Sequence, residues 1–407
     1  MSTEISSLKS YILAYTYYGN PWRMESGDEI RIHGILTALS SKYNNLIVFN
    51  LNPLIGQYSF ATHDRVIYVS IPRKFYILIS KLIGWNKHYE LNPLIKISHY
   101  IDELIVTIKM IKHIEKAKMV LVFGSISIFP VILRLLNVKK IVVFDPLANF
   151  AQTLYAESRR NFLKLLRYGL FLALHKLAIR SADIAVYPSR MDSESARQMF
   201  KLKNVTVVPN PLPVCYNSLE EYIELRSRRD DFDRPYFIML PGYRGKGNLE
   251  AVKIVIKIFN MIKPNDFKLI ITGPWLDMKK YVKNPSIELT GVVPKEKLKE
   301  LLAISDYGLT PIFSHFSGTF LKVLAYISAG LDIIASPQSI VGIDVPRGIN
   351  VYLVRNPQKL ARVVKEIISN HAKYRRISKE SPIVLCKDHL VDVENLLSYI
   401  GGLQGKA

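Results

Sequence analysis

A chain of 407 residues is too long for one ordinary domain and suits two of about 200. Apolar residues at 49% beside 22% charged exclude a disordered chain, and two widely separated cysteines, Cys215 and Cys386, exclude a disulfide framework and a cysteine-built zinc site. A net charge of +21 argues against work on neutral metabolites alone and points to phosphate-bearing substrates, an anionic membrane surface or nucleic acid.

The first nine residues are polar and lack the apolar core of a signal peptide. A strand is predicted over 11–15, then a loop containing Gly19, Pro21 and Gly27. A helix over 28–41 follows, burying Ile32, Ile35, Leu36 and Leu39. Ser26, Gly27, Asp28 and Glu29 scan as a capping box, which gives Glu29 a structural role. Strands are predicted over 46–49 and 66–69.

Residues 73–180 then carry 18 basic and six acidic residues. Ile97, Ile101, Leu104, Ile105 and Ile108 form one helical stripe, and Lys109, Lys112 and Lys116 form another. Arg160, Lys164 and Arg167 recur at helical spacing among Leu163, Leu166, Leu170 and Leu174. Two readings stay open: a surface with Phe75, Tyr76 and Trp85 that rests on anionic lipid headgroups, or the solvated outer face of core-packing helices. No interleaved basic and aromatic recognition motif appears, so nucleic acid is not an expected partner. Strands are predicted over 119–123, 141–144, within 181–187, and over 205–208. The longest uncharged apolar run, 119–133, is broken by Gly124 and Pro130 and is short for a membrane span. The expected location is cytoplasmic, peripheral on the inner face of the cell membrane.

The pattern breaks between Pro209 and Pro235, where three prolines precede a charged stretch that reads as linker. A second series follows, with strands over 236–240, 268–272, 287–289, 307–310 and 333–335. Helices are predicted over 249–261, over 295–302 and after Gly318. Such alternation predicts two parallel sheets flanked by helices, with a cleft between the domains as the default ligand site.

Two segments carry the chemistry. Residues 307–331 contain no Asp or Glu, and within them Ser317, Gly318, Thr319, Phe320, Leu321 and Lys322 open a helix. Free amides, the helix dipole and a lysine one turn in make an anion site. On a helical wheel Phe320, Val323, Leu324 and Ile327 point inward, while Gly318, Lys322 and Ala325 share the open face. The second segment, 240–248, places Gly242, Gly245 and Gly247 around Arg244 and Lys246, after a strand and before a helix. Its glycines let the backbone approach a ligand whose phosphate oxygens Arg244 and Lys246 can grip. It is neither a Walker A loop nor Gly-x-Gly-x-x-Gly.

The order of these segments resembles a known family. Ser181 to Ser189, Val207 to Pro211, Gly242 to Lys246, Leu289 to Val293, Ser305 to Leu309, Lys322 to Tyr326 and Gly330 together resemble the GT-B fold retaining glycosyltransferases of family 4, glycosyl transferases group 1. Gly27 to Arg31 is similar to that family's opening loop and helix. The resemblance implies two doubly wound, Rossmann-like α/β domains facing across a cleft. Their expected bounds are 1–210 for the acceptor domain, 211–234 for the linker, 235–380 for the nucleotide-sugar domain, and 381–407 for a C-terminal helix returning to the first domain.

It further implies transfer of a sugar from a nucleotide diphospho-sugar with retention, and the basic block at 73–180 points to a lipid-linked or membrane-proximal glycan acceptor. The setting would be assembly of cell-surface glycans or protein glycosylation. Gly242, Arg244, Lys246, Ser317, Gly318, Thr319 and Lys322 would hold the donor's diphosphate, with no metal and no cofactor, while Gly291, Val292 and Val293 border the base. Lys322 and Asp145 are the candidate catalytic residues, although Asp145 suits a turn role equally well. Gly19, Gly27, Asp28 and Asn149 would face the acceptor. The family's usual pair of glutamates eight positions apart falls here on Ser317 and Ala325, with His315 a candidate substitute. On that reading Ala325→Glu tightens donor binding. The rival is a degenerate protein of the same fold that binds nucleotide, lipid or a partner without turnover.

Overall fold

The structure is a computed structural model. It describes residues 11–16, 27–43, 45–52, 59–63, 65–75, 77–78, 93–124, 127–147, 162–242, 245–313, 321–371, 385 and 393–404. The chain forms two compact units, one of 1–210 with 391–407 and one of 211–390.

Unit 1 is built on an eight-stranded sheet in the order β3-β4-β2-β1-β5-β6-β7-β8. The strands are β1 (Tyr11–Thr16), β2 (Leu46–Asn52), β3 (Ser59–His63), β4 (Val66–Pro72), β5 (Ala117–Phe123), β6 (Ile141–Asp145), β7 (Ile184–Tyr187) and β8 (Val205–Val207). All pair in parallel except β3, which runs antiparallel to β4 at the edge. Helices cover both faces, so the inner strands read as near-continuous apolar runs. On one face lie α1 (Gly27–Lys42), through Ile32, Ile35, Leu36 and Leu39, and the C-terminal α11 (Glu394–Gln404), through Leu396 and Ile400. The other face carries α2 (Pro93–Lys116), α3 (Phe129–Leu135), α4 (Phe162–Ser181) and α5 (Arg190–Phe200).

Helix α2 settles one question left open by its sequence. Its buried side holds Ser98, His99, Asp102, Glu103, Val106, Thr107, Met110 and Ile114. The stripe of Ile97, Ile101, Leu104 and Ile108 faces outward, so these residues do not pack in the core. Polar bonds fix the helix in that rotation. Glu103 accepts from the hydroxyls of Tyr15 at 3.1 Å and Ser127 at 2.6 Å, and from the Ile128 amide at 2.9 Å. Asp102 accepts from the Phe75 amide, and Arg73 lies 3.0 Å from His99 Nδ1.

Unit 2 has a six-stranded, all-parallel sheet in the order β11-β10-β9-β12-β13-β14. The strands are β9 (Tyr236–Met239), β10 (Lys268–Thr272), β11 (Ile287–Gly291), β12 (Tyr307–Thr310), β13 (Asp332–Ala335) and β14 (Val351–Leu353). The helices are α6 (Leu219–Ser227), α7 (Lys246–Phe259), α8 (Lys295–Ala303), α9 (Leu321–Ser328) and α10 (Pro357–Ser369). Strand order reverses between β9 and β12, the switch point of a doubly wound sheet.

The stretch 211–234 departs from its expected linker role. It belongs to unit 2 and contains α6, capped by Ser218. Arg226 and Arg229 of this stretch both bond Asp306, which also accepts from the Tyr236 amide. Arg226 and Arg229 therefore meet specific partners, while Glu220, Glu224 and Asp230 stay exposed. Unit 2 runs on to Leu390, past the expected boundary at 380, and the tail joins unit 1 from Val391. Cys215 is disulfide-bonded, which the wide sequence spacing of the cysteines did not lead us to expect. Closing a long loop costs only slightly more than closing a short one.

Candidate functional site

The carboxyl ends of β9 and β12 flank the switch point of unit 2, where open parallel sheets bind ligands. After β9 the chain turns at Gly242, whose φ of 69° favours a residue without Cβ, and enters α7 at Lys246. After β12 the chain leads to α9, which bears Lys322.

Lys322 reaches from α9 to the β9–α7 turn. Its ammonium donates to Asn248 Oδ1 at 3.0 Å and, at 3.4 Å, to the Pro241 carbonyl. Burial pushes its pKa down to about 7, because little water is left to solvate the charge. An anion placed here would restore the ammonium and be held by it.

Three features that the sequence reading passed over keep the two segments in register. Tyr326, one turn beyond Lys322, accepts from the Leu240 amide and donates to the Leu309 carbonyl, both at 3.0 Å, so one hydroxyl ties α9 to the ends of β9 and β12. Gly308 makes room for it: a Cβ there would lie 2.3 Å from the Tyr326 ring. Trp275, fully buried, donates its indole N–H to the Gly242 carbonyl at 3.2 Å and props the turn from below. A tyrosine or tryptophan in an apolar run gives no sequence signal of which carbonyl it will reach. A glycine inside a strand does signal a close approach.

The other donor-side candidates are placed unevenly. Lys246 stands exposed at the first position of α7. Gly291, with φ of 75°, receives the Gly273 amide on its carbonyl at 2.7 Å, Val292 is 77% exposed, and Val293 is half-buried. Arg244, His315, Ser317, Gly318 and Thr319 lie outside the described residues. The open face expected for α9 is corrected. Ala325 is 1% exposed, and Val323, Tyr326 and Ile327 are buried as well, so the helix is enclosed on most sides. A glutamate at 325 would meet packed core instead of a ligand, and Ala325→Glu is expected to destabilise the fold rather than tighten binding.

In unit 1 the structure removes Asp145 from the catalytic set. Asp145 is 2% exposed and pairs with Arg31 at 2.8 Å, and it also accepts from the Leu147 amide. Arg31 continues to the Val208 carbonyl and to Asn210 Oδ1, stitching α1 to the ends of β6 and β8. With its oxygens so engaged, Asp145 fastens the turn after β6 and is not available to a hydroxyl. Gly27, exposed, and Asp28, half-buried, open α1, while Glu29 is buried. Gly19 and Asn149 lie outside the described residues.

Comparison with known proteins bears on both the fold and the site. Residues 235–370, within unit 2, match the family model described as glycosyl transferases group 1. No curated protein matches the chain. Among solved structures, the sucrose-phosphate synthase of Thermosynechococcus elongatus is similar, with a TM-score of 0.66 at 12% identity over 98% of each chain. WaaG, a glycosyltransferase involved in lipopolysaccharide biosynthesis, gives 0.63 at 12% identity over 97% of this chain and 98% of its own. Anabaena HepE in complex with UDP and glucose gives 0.60 at 12% identity, over 98% of this chain and 100% of its own. The fold is GT-B, two Rossmann-like α/β domains with parallel sheets. Match and fold together support a glycosyltransferase enzyme.

Proposed function

We propose that the protein transfers a sugar, with retention, from a nucleotide diphospho-sugar to a lipid-linked or membrane-proximal glycan acceptor. The reaction would serve assembly of cell-surface glycans or protein glycosylation, at the inner face of the cell membrane. The observation that carries the donor half is the Lys322 ammonium, half-buried near the switch point and turned onto the 240–248 turn. As the bond between the anomeric carbon and the phosphate oxygen breaks, negative charge collects on the diphosphate. A preplaced cation in a poorly hydrated site stabilises that charge best where it develops. Lys246, and Arg244 beside it in sequence, would add charge at the mouth of the turn. Asp145 takes no part. A uracil base is the first to try, since HepE was solved with UDP. The acceptor half draws on WaaG's link to lipopolysaccharide and on the positive charge of residues 73–180.

The test is calorimetric titration of UDP and GDP into wild type and Lys322→Ala. Binding is expected to weaken more than tenfold in the variant, and equal affinities would remove the site. The rival reading, binding without turnover, is favoured by the buried alanine at position 325, which leaves no carboxylate where the family places one. A mass-spectrometric screen of nucleotide sugars against native membrane lipids separates the two, since a new glycolipid requires turnover.

A further inference from the structure

Helix α2 buries ionisable groups and leaves aliphatic ones in water. Glu103, Asp102 and His99 are each less than 5% exposed, while Ile97 is 52%, Leu104 43% and Ile108 53% exposed. Turning the helix by half a revolution would bury the aliphatics and hydrate the charges. The bonds from Tyr15, Ser127 and Ile128 to Glu103 prevent it. Ile97, Ile101, Leu104 and Ile108 recur every three or four residues and make a continuous outward ridge.

The ridge is not isolated. Helix α3 packs against both α2 and α4 on the same side of the sheet, so the three present their outer surfaces side by side. The surface of α3 and the residue following it adds Leu135, 80% exposed, and Leu136, and α4 adds Leu177. Among these apolar residues stand exposed lysines: Lys109, Lys112 and Lys116 on α2, Lys139 after α3, and Lys176 on α4. Among the described residues of 93–181, Glu115 is the one exposed acid. Among the described residues, no helix is long and apolar enough to cross a membrane.

We propose that the outer face of α2, α3 and α4 docks on an anionic lipid bilayer. The aliphatic ridge enters the boundary between headgroups and acyl chains, and the lysines meet lipid phosphates. Charge selects this occupant. A second copy laid on the same face would bring lysines against lysines, and an acidic protein partner would leave the ridge without its apolar medium. The inference gives a surface to the membrane-proximal acceptor proposed above, and it rests on that reading for its purpose though not for its geometry.

The experiment is flotation of the full chain with vesicles of phosphatidylcholine, with and without phosphatidylglycerol, over a range of salt. Two variants are compared, Leu104→Ser with Ile108→Ser, and Lys109→Glu with Lys112→Glu. Wild type is expected to float with the anionic vesicles and to lose binding severalfold as salt screens the lysines. Each variant pair is expected to lose at least tenfold in recovery, while melting temperature and UDP titration stay unchanged. Equal recovery of wild type and both variants overturns the proposal, as does equal flotation on pure phosphatidylcholine. A stable dimer in solution that Leu104→Ser with Ile108→Ser dissociates also overturns it, because a second copy then covers the face. Flotation that meets these expectations in a protein that binds no nucleoside diphosphate would leave the docking face standing and sink the proposed transfer reaction alone.

Discussion

Each of the two sheets has a desolvated ionisable group near its switch point, and the two groups are tuned toward the same pH from opposite sides. In unit 1 Glu103 bridges the ends of β1 and β5 through Tyr15 and Ser127, and burial pushes its pKa up to about 7 despite those bonds and the nearby Arg73. In unit 2 Lys322 reaches from α9 to the turn after β9, and loss of solvating water pushes its pKa down to about 7. Glu103 is surrounded by donors that bond it in place, including the amide that opens α3. Lys322 is offered an amide oxygen and a carbonyl beside a glycine turn. A buried charge met by several strong donors is a fastening. A cation carried by a helix onto a glycine turn at the end of a sheet is where an anion site is to be sought. The comparison teaches that burial alone does not mark a functional group; the company it keeps does.

Four substitutions would break or sharpen that contrast. The largest effect is expected from Arg31→Ala, which strands the buried Asp145 carboxylate without its partner and should cost about 3–5 kcal/mol. Urea unfolding followed by circular dichroism measures it, and a loss below about 1 kcal/mol, the scale of an ordinary surface pair, would mean that the pair is not a fastening.

Next comes Glu103→Gln, read against pH. The folded protein holds the Glu103 proton up to about 7 and the unfolded chain only up to about 4.5, so stability should fall as pH rises through that window. Lys322 works the other way: the unfolded chain keeps its proton up to about 10.5 and the folded one to about 7, so stability should rise across that range. Unfolding free energy in the absence of ligand should therefore carry two opposed slopes that meet near neutral pH. Glu103→Gln should flatten the acid limb and spare the alkaline one.

Gly308→Ala presses a methyl group against the Tyr326 ring and should cost about 1–3 kcal/mol by thermal unfolding. It should also displace Lys322 and weaken diphosphate binding. The smallest effect is expected from Trp275→Phe, which removes the bond to the Gly242 carbonyl at about 0.5–1.5 kcal/mol. A drop of severalfold in UDP affinity would show that the prop matters to the turn, and unchanged affinity would show that the turn stands without it.

Much of the architecture was legible because its signals are local. The apolar runs at 119–123, 236–240 and 268–272 became inner strands, and the 3.6-residue repeat of Ile32, Ile35, Leu36 and Leu39 became a buried helix face. Two of the four edge strands were not legible. Ser59–His63 is largely exposed and borrows its structure from β4, and Val351–Leu353 is too short to carry a pattern. Helix α2 stayed ambiguous for a different reason. Its ionisable residues are satisfied by Tyr15, Ser127 and Phe75, which come from other parts of the chain, so periodicity alone left its orientation open. Asp145 shows the same limit at the site: its place after a strand was readable, and its pairing with Arg31, 114 residues earlier, was not. The candidacy of Lys322 was legible because a helix start and a run free of acids coincide at 307–331, whereas its contact with the 240–248 turn, more than 70 residues earlier, was not written in any local pattern.

The central claim is that Lys322 and the 240–248 turn hold a diphosphate. It is tested most directly by titration calorimetry of UDP and GDP at pH 6, 7 and 8 in buffers of different ionisation heat, on wild type and Lys322→Ala. Binding should draw a proton onto Lys322, so wild type is expected to take up a fraction of a proton at pH 8, less at pH 6, and to bind more tightly as pH falls toward 7. The variant should lose more than tenfold in affinity, about 1.4 kcal/mol, and that proton with it. Equal affinity and equal proton uptake in the two proteins would contradict the assignment.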